Sequence, residues 1–181
     1  MSESRLSKRY AKALFSLGIE DGFFSQYGQE LMDFVGFYQE HDEFKLLIGN
    51  PVFTVNDRKK VLHFVLGKSN FSRTVINFLN LLLDKNRIGA IETITSQYEA
   101  LTDDASNIAR AEITSARPLK EEALEKIERS LEELTSKKIK SDVMEDRDLI
   151  GGVVVKIGDL VLDGSIRAQL EGLKESFKRG E

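Results

Sequence analysis

Apolar positions along the first hundred residues recur at helical spacing. Leu6, Tyr10, Ala13, Leu14 and Leu17 fall at i, i+4, i+7, i+8 and i+11, a stripe that predicts a first helix with one buried face. Gly18 and Gly22 mark its expected end. A second helix is predicted at about Phe23 to Gln39, with Tyr27, Leu31, Phe34 and Tyr38 on one side. Phe44, Leu47 and Ile48 close a short third helix before Gly49-Asn50-Pro51, where the residue preceding proline disfavours the α region. Thr54 or Asn56 caps a fourth helix carrying Val61, Leu62, Val65 and Leu66, and its first turn holds Arg58-Lys59-Lys60, read as a solvated face.

The fifth helix, Ser72 to Asn86, has a different pattern. Val75, Ile76, Phe78, Leu79, Leu81, Leu82 and Leu83 place apolar side chains around nearly its whole circumference. Such a helix is either central to a core or covered in part by a partner. A sixth follows, about Gly89 to Thr102, with Ile91, Ile94, Tyr98 and Leu101 at helical spacing.

From Asn107 the period drops to two. Ala109, Ala111 and Ile113 alternate with Arg110, Glu112 and Thr114, the signature of a strand with one face buried. Pro118 is expected to open a helix with Leu124, Ile127, Leu131 and Leu134 on a narrow stripe. Ile139 to Met144 is a further strand candidate. Val153 to Ile157, Gly158-Asp159 and Leu160 to Leu162 then read as a hairpin, with glycine at the first position of a type II′ turn. Gly151-Gly152 before it suggest a bulge or a close backbone approach. Asp163 or Ser165 caps a last helix whose stripe is Ile166, Leu170, Leu173 and Phe177. The expected fold is mainly α with a smaller α+β part. A six-helix bundle, residues 1–106, precedes a small domain, residues 107–181, with a mostly antiparallel sheet and helices.

Composition supports the division. Of 11 Phe and 4 Tyr, all but Phe177 lie at or before Tyr98, so the two parts have different core chemistry. Net charge is −4, which disfavours a nucleic-acid partner, and no apolar run approaches the ~20 residues that span a bilayer. The opening segment is basic and partly apolar but runs straight into a helical pattern, so it is expected to be the first helix rather than a targeting segment. The chain has no cysteine, and its two histidines, His41 and His63, lack partners at metal-ligand spacing. No nucleophile elbow or phosphate-binding glycine loop occurs. No catalytic residue, metal or cofactor is therefore expected.

Three segments carry a family resemblance: Arg9-Tyr10-Ala11-Lys12-Ala13-Leu14-Phe15, Asn77-Phe78-Leu79-Asn80-Leu81-Leu82 ending in Arg87, and Leu149 to Leu173. Together they resemble the δ subunit of rotary ATP synthases, the family that includes the mitochondrial oligomycin-sensitivity-conferral protein. The last segment is the most specific, and the match beyond Arg87 is approximate.

The resemblance implies a non-catalytic connector in the peripheral stalk. Its N-terminal domain would hold the N-terminal helix of an α subunit of the catalytic head in a groove between helices one and five. Carried onto this chain, that groove draws on Tyr10, Ala11, Leu14, Phe15, Phe78, Leu79 and Leu82, without deciding which face the groove and which the core. The C-terminal domain would meet the C-terminal end of the b-type stalk subunits. The expected location is the cytoplasmic face of a bacterial cell membrane, peripheral, without insertion. A free-standing helical adaptor or chaperone-like binder of amphipathic helices is the alternative.

Overall fold

The computed structural model describes residues 3–67 and 70–179. The side chains of Leu173 and Phe177, expected on the last apolar stripe, lie outside the described residues. The chain forms two compact units, 1–102 and 103–181.

The first unit contains α1 (Glu3–Asp21), α2 (Phe24–Glu40), α3 (Asp42–Gly49), α4 (Val55–Leu66) and α5 (Arg73–Asp84). A 3-10 turn, Ile88–Ala90, then leads into α6 (Ile91–Ala105), which runs across the division between the units. The predicted stripes converge on one core that includes Leu14, Leu31, Phe34, Leu62, Leu79, Leu82 and Tyr98. Thr54 caps α4 by accepting from the Asp57 N–H, and Ser72 caps α5 by accepting from the Val75 N–H. At its other end α5 stops at Asp84, short of the expected Asn86. Asn86 takes the left-handed conformation, φ 53°, and the Arg87 N–H reaches back to the Leu82 carbonyl at 2.7 Å.

Gly18 does not end α1. The helix runs through it, and a Cβ there would lie 2.7 Å from Phe24 Cα, so this glycine is required by the close approach of the chain entering α2. Arg58 also departs from expectation, because it is buried rather than solvated. Its Nη1 donates to the Ile48 carbonyl at 3.3 Å and to Asn86 Oδ1 at 3.0 Å, tying together the ends of α3 and α5. Lys59 and Lys60 do face outward, paired with Asp84 and Asp57.

The second unit contains β1 (Ile108–Ser115), α7 (Glu121–Thr135), β2 (Lys138–Glu145), β3 (Val153–Ile157), β4 (Leu160–Asp163) and α8 (Ile166–Arg179). The sheet order is β2-β1-β3-β4. β1 and β2 are parallel, joined through α7, while β1–β3 and β3–β4 are antiparallel. The sheet is thus mixed, with most pairings antiparallel. Ala111, Ile113 and Val155 bury one face against Leu131 of α7, and Ile113 stands opposite Val155 in register. Pro118 does not open α7, which starts at Glu121. The intervening extended segment lets Leu119 pack on this small core. Ser165 caps α8 by accepting from the Ala168 N–H at 3.1 Å, and Asp163 accepts from the Ser165 N–H. That bond and a side-chain contact with Ser165 hold the Asp163 carboxyl below its ordinary value. Gly152 is the close approach: at φ +86°, a Cβ on it would lie 2.4 Å from the Gly164 carbonyl oxygen.

The two outer strands differ. β2 carries Lys138, Lys140, Asp142 and Glu145, whereas β4 is Leu160-Val161-Leu162-Asp163 with all four residues exposed.

Candidate functional site

Helices α1 and α5 border a groove of about 610 Å³ in the first unit. From α1 it is lined by Arg9, Tyr10, Ala13, Leu14, Leu17 and Asp21. From α5 it takes Thr74, Asn77, Phe78 and Leu81. Tyr10 and Phe78 meet across its floor, ring centroids 6.3 Å apart. Leu17 and Leu81 border it at 47% and 42% exposure, large apolar side chains only half withdrawn from water.

Tyr27 braces one end. Its hydroxyl lies 2.7 Å from Asp21 Oδ2, to which it donates, and 3.2 Å from Thr74 Oγ1, so α1, α2 and α5 share one polar contact. The Thr74 bond acts to lower the Tyr27 phenol, yet burial and the Asp21 carboxylate together hold it above its ordinary value. The N-terminus of α5 is anchored separately. Glu30, buried on α2, accepts from the Ser72 N–H at 2.9 Å and from its hydroxyl at 2.7 Å.

The seven residues expected at the groove divide into three groups. Tyr10, Leu14 and Phe78 line it. Ala11, Leu79 and Leu82 are wholly buried and form the core beneath it. Phe15 packs between Phe24 and Tyr98, at centroid distances of 5.8 and 5.7 Å, and takes no part in the lining. Leu17 and Leu81 were not singled out by the resemblance, although Leu17 lay on the first helical stripe and Leu81 in the apolar run of α5. Their signal was a place on or beside the apolar face of a helix, Leu17 within the α1 stripe and Leu81 three residues beyond Phe78.

Other concavities lie among the described residues. One of about 580 Å³ in the first unit is lined by Phe34, Phe37, Phe64, Val65 and Phe71, with Glu30 and Asp33 on its α2 side. Another, about 340 Å³ in the second unit, lies between α7 and the sheet and is lined by Ile127, Leu131, Val153, Val155 and Leu162. Among the described residues no group of His, Asp or Glu could hold a metal ion, and no helix is long and apolar enough to cross a membrane.

The profile of the ATP synthase delta (OSCP) subunit family matches residues 6–177. The chain belongs to that family. It is 43% identical to the ATP synthase subunit delta of Desulfatibacillum aliphaticivorans over 181 residues, covering 100% of this chain and 99% of the relative. It is 44% identical to that of Desulforapulum autotrophicum over 181 residues, with the same coverage. The fold is shared with a chain of the Toxoplasma gondii mitochondrial ATP synthase hexamer at TM-score 0.70 and 17% identity, over 95% of this chain and 97% of that one. A chain in the Polytomella F-ATP synthase head and rotor matches 53% of this chain and 84% of its own length, at TM-score 0.50 and 24% identity. As a delta (OSCP) subunit, the protein is a structural component of the peripheral stalk of an F-type ATP synthase, a membrane-associated complex.

Proposed function

We propose that this subunit joins the catalytic head to the stalk through two docking surfaces. The first unit receives the N-terminal segment of an α subunit as an amphipathic helix in the α1–α5 groove. The second unit meets the C-terminal end of the b-type stalk subunits with its exposed apolar surface. In this assembly the chain sits at the cytoplasmic face of a bacterial cell membrane, peripheral to it, and residues 1–106 and 107–181 carry the two roles.

The observation that supports the first assignment is the groove itself. It is apolar along its floor, flanked by half-exposed Leu17 and Leu81, and formed by the two helices that the family resemblance implicates. Helix-in-groove recognition requires such a trough, because the ligand's anchors at i, i+3, i+4 and i+7 must leave water on one side only. Of the seven residues first considered, Tyr10, Leu14 and Phe78 make the contact, while Ala11, Phe15, Leu79 and Leu82 set the spacing of the helices behind it.

The role is mechanical. Torque from a rotating shaft would turn the head unless the head is tied to the stationary sector. Two docking units on one chain hold well because the second contact forms at an effective concentration on the order of mM once the first exists.

Calorimetric titration of the full chain with a peptide from the N-terminus of the cognate α subunit tests this reading. One-to-one saturable binding with a negative heat-capacity change supports it. Phe78→Asp places a charge in the apolar groove and abolishes binding. Because Phe78 is buried, Leu81→Asp, at an exposed position, serves as the companion variant. Full affinity in both folded variants rules the groove out.

A further inference from the structure

The groove is not symmetric along its length. Arg9 lies toward one end of its α1 side and Asp21 at the other, about 18 Å apart along the helix at a rise of about 1.5 Å per residue. Between them the α1 lining is Tyr10, Ala13, Leu14 and Leu17, with no charged side chain. Among the described residues Arg9 has no carboxylate partner, and its guanidinium lies over the Tyr10 ring, 5.9 Å from the centroid. Asp21 accepts from Tyr27 through Oδ2 and retains Oδ1 for another donor.

A helix carries partial positive charge at its N-terminus and partial negative charge at its C-terminus. We infer that the groove favours its helix in one direction, antiparallel to α1, with the helix N-terminus against Asp21 and its C-terminal part against Arg9. This rests on the helix-docking reading and adds to it a requirement on the partner's chemistry. A fitting segment has a cation or free amine in its first turn, an apolar stripe over the next three turns, and a carboxylate or the helix end opposite Arg9. A segment of the same hydrophobicity but opposite charge order meets Asp21 with its carbonyl end and Arg9 with its amide end, and is disfavoured at both.

Both rims are exposed to solvent, so their charges act on direction more than on total affinity. Arg9→Gln and Asp21→Asn each weaken binding by about twofold to fivefold at low salt, the effect of one charge near a helix end. Asparagine keeps an acceptor for Tyr27, so Asp21→Asn separates loss of charge from loss of the brace. Raising salt to about 1 M, where screening acts over ~3 Å, removes most of the difference between these variants and the parent.

Direction can be read by cross-linking, because the chain has no native cysteine. Two full-length variants, Arg5→Cys and Glu20→Cys, place a thiol at an exposed position, one turn before Arg9 on the same face of α1 or beside Asp21. Each is mixed with the cognate α N-terminal peptide carrying one added cysteine at its first residue, activated as the mixed disulfide with 5-thio-2-nitrobenzoate, and thiol–disulfide exchange is followed by release of the thionitrobenzoate anion. The expected result is fast coupling to Glu20→Cys and little to Arg5→Cys, reversed when the added cysteine sits at the peptide's last helical residue. Equal rates, or preference for Arg5→Cys with the N-terminal thiol, overturn the inference while leaving docking intact. Absence of saturable binding to the parent chain overturns the docking reading itself, and the inference with it.

Discussion

Tyr10 of α1 and Phe78 of α5 pack edge to face, with their ring planes inclined at 68°. This is the favourable geometry for two aromatic quadrupoles, and here it fixes the depth of a surface trough. Ala11, the next residue on α1, is wholly buried, so a single turn supplies both the close helix approach and the groove floor.

The half-exposed leucines should then matter to binding and hardly at all to folding. Leu17→Ala and Leu81→Ala are each expected to lower the affinity of the α-subunit peptide about 10-fold, from apolar area that only the complex buries. Unfolding free energy should stay within about 0.5 kcal/mol of the parent, as for other surface substitutions. Calorimetry and urea titration on the same samples check both halves.

Glu30 has the opposite profile. Its carboxylate accepts two bonds from Ser72 at the start of α5, which lies 42 residues further along the chain. Glu30→Ala leaves the Ser72 amide without that acceptor and is expected to destabilise the first unit by about 1–3 kcal/mol, seen as a lower urea midpoint.

Tyr98 predicts an alkaline limit. It is buried, its hydroxyl donates to the Phe24 carbonyl at 2.9 Å, and burial pushes the phenol above the ordinary tyrosine value of 10.0. A group raised in the folded state binds its proton more tightly there than in the unfolded chain. Its contribution is therefore complete below pH 10 and declines as pH rises further. Tyr27 and Tyr38 are raised as well, and they steepen the decline. Urea midpoints measured across alkaline pH should fall in the parent and fall less steeply in Tyr98→Phe.

Gly152→Ala should disrupt the second unit. The added Cβ meets the Gly164 carbonyl at 2.4 Å, and φ of +86° strains any side chain. Loss of the strand contribution to circular dichroism, with the helical signal of the first unit retained, is the expected outcome.

The apolar stripes were legible in the sequence because each helix buries one face, and periodicity reports burial directly. The α5 stripe was legible only as a continuous band. Which of its leucines would face water depends on where α1 crosses it, and no local pattern encodes that. For the same reason Ala11, Leu79 and Leu82 could not be separated from Tyr10, Leu14 and Phe78. Gly18 was misread as a stop because a glycine in a helix has two physical meanings, and the one realised here depends on Phe24 packing against it. Arg58 was misread as solvated because the acceptors that permit its burial come from Ile48 and Asn86, outside its own helix. The parallel pairing of β1 and β2 was also hidden, since alternation along a strand specifies a face and not a direction.

The contrast between the outer strands of the second unit bears on how the subunit behaves before assembly. The charged β2 border resists further strand addition, whereas β4 offers Leu160, Val161 and Leu162 with no lysine or proline to deter a neighbour. An orphan copy, made in excess of its stalk, is therefore vulnerable along that one border.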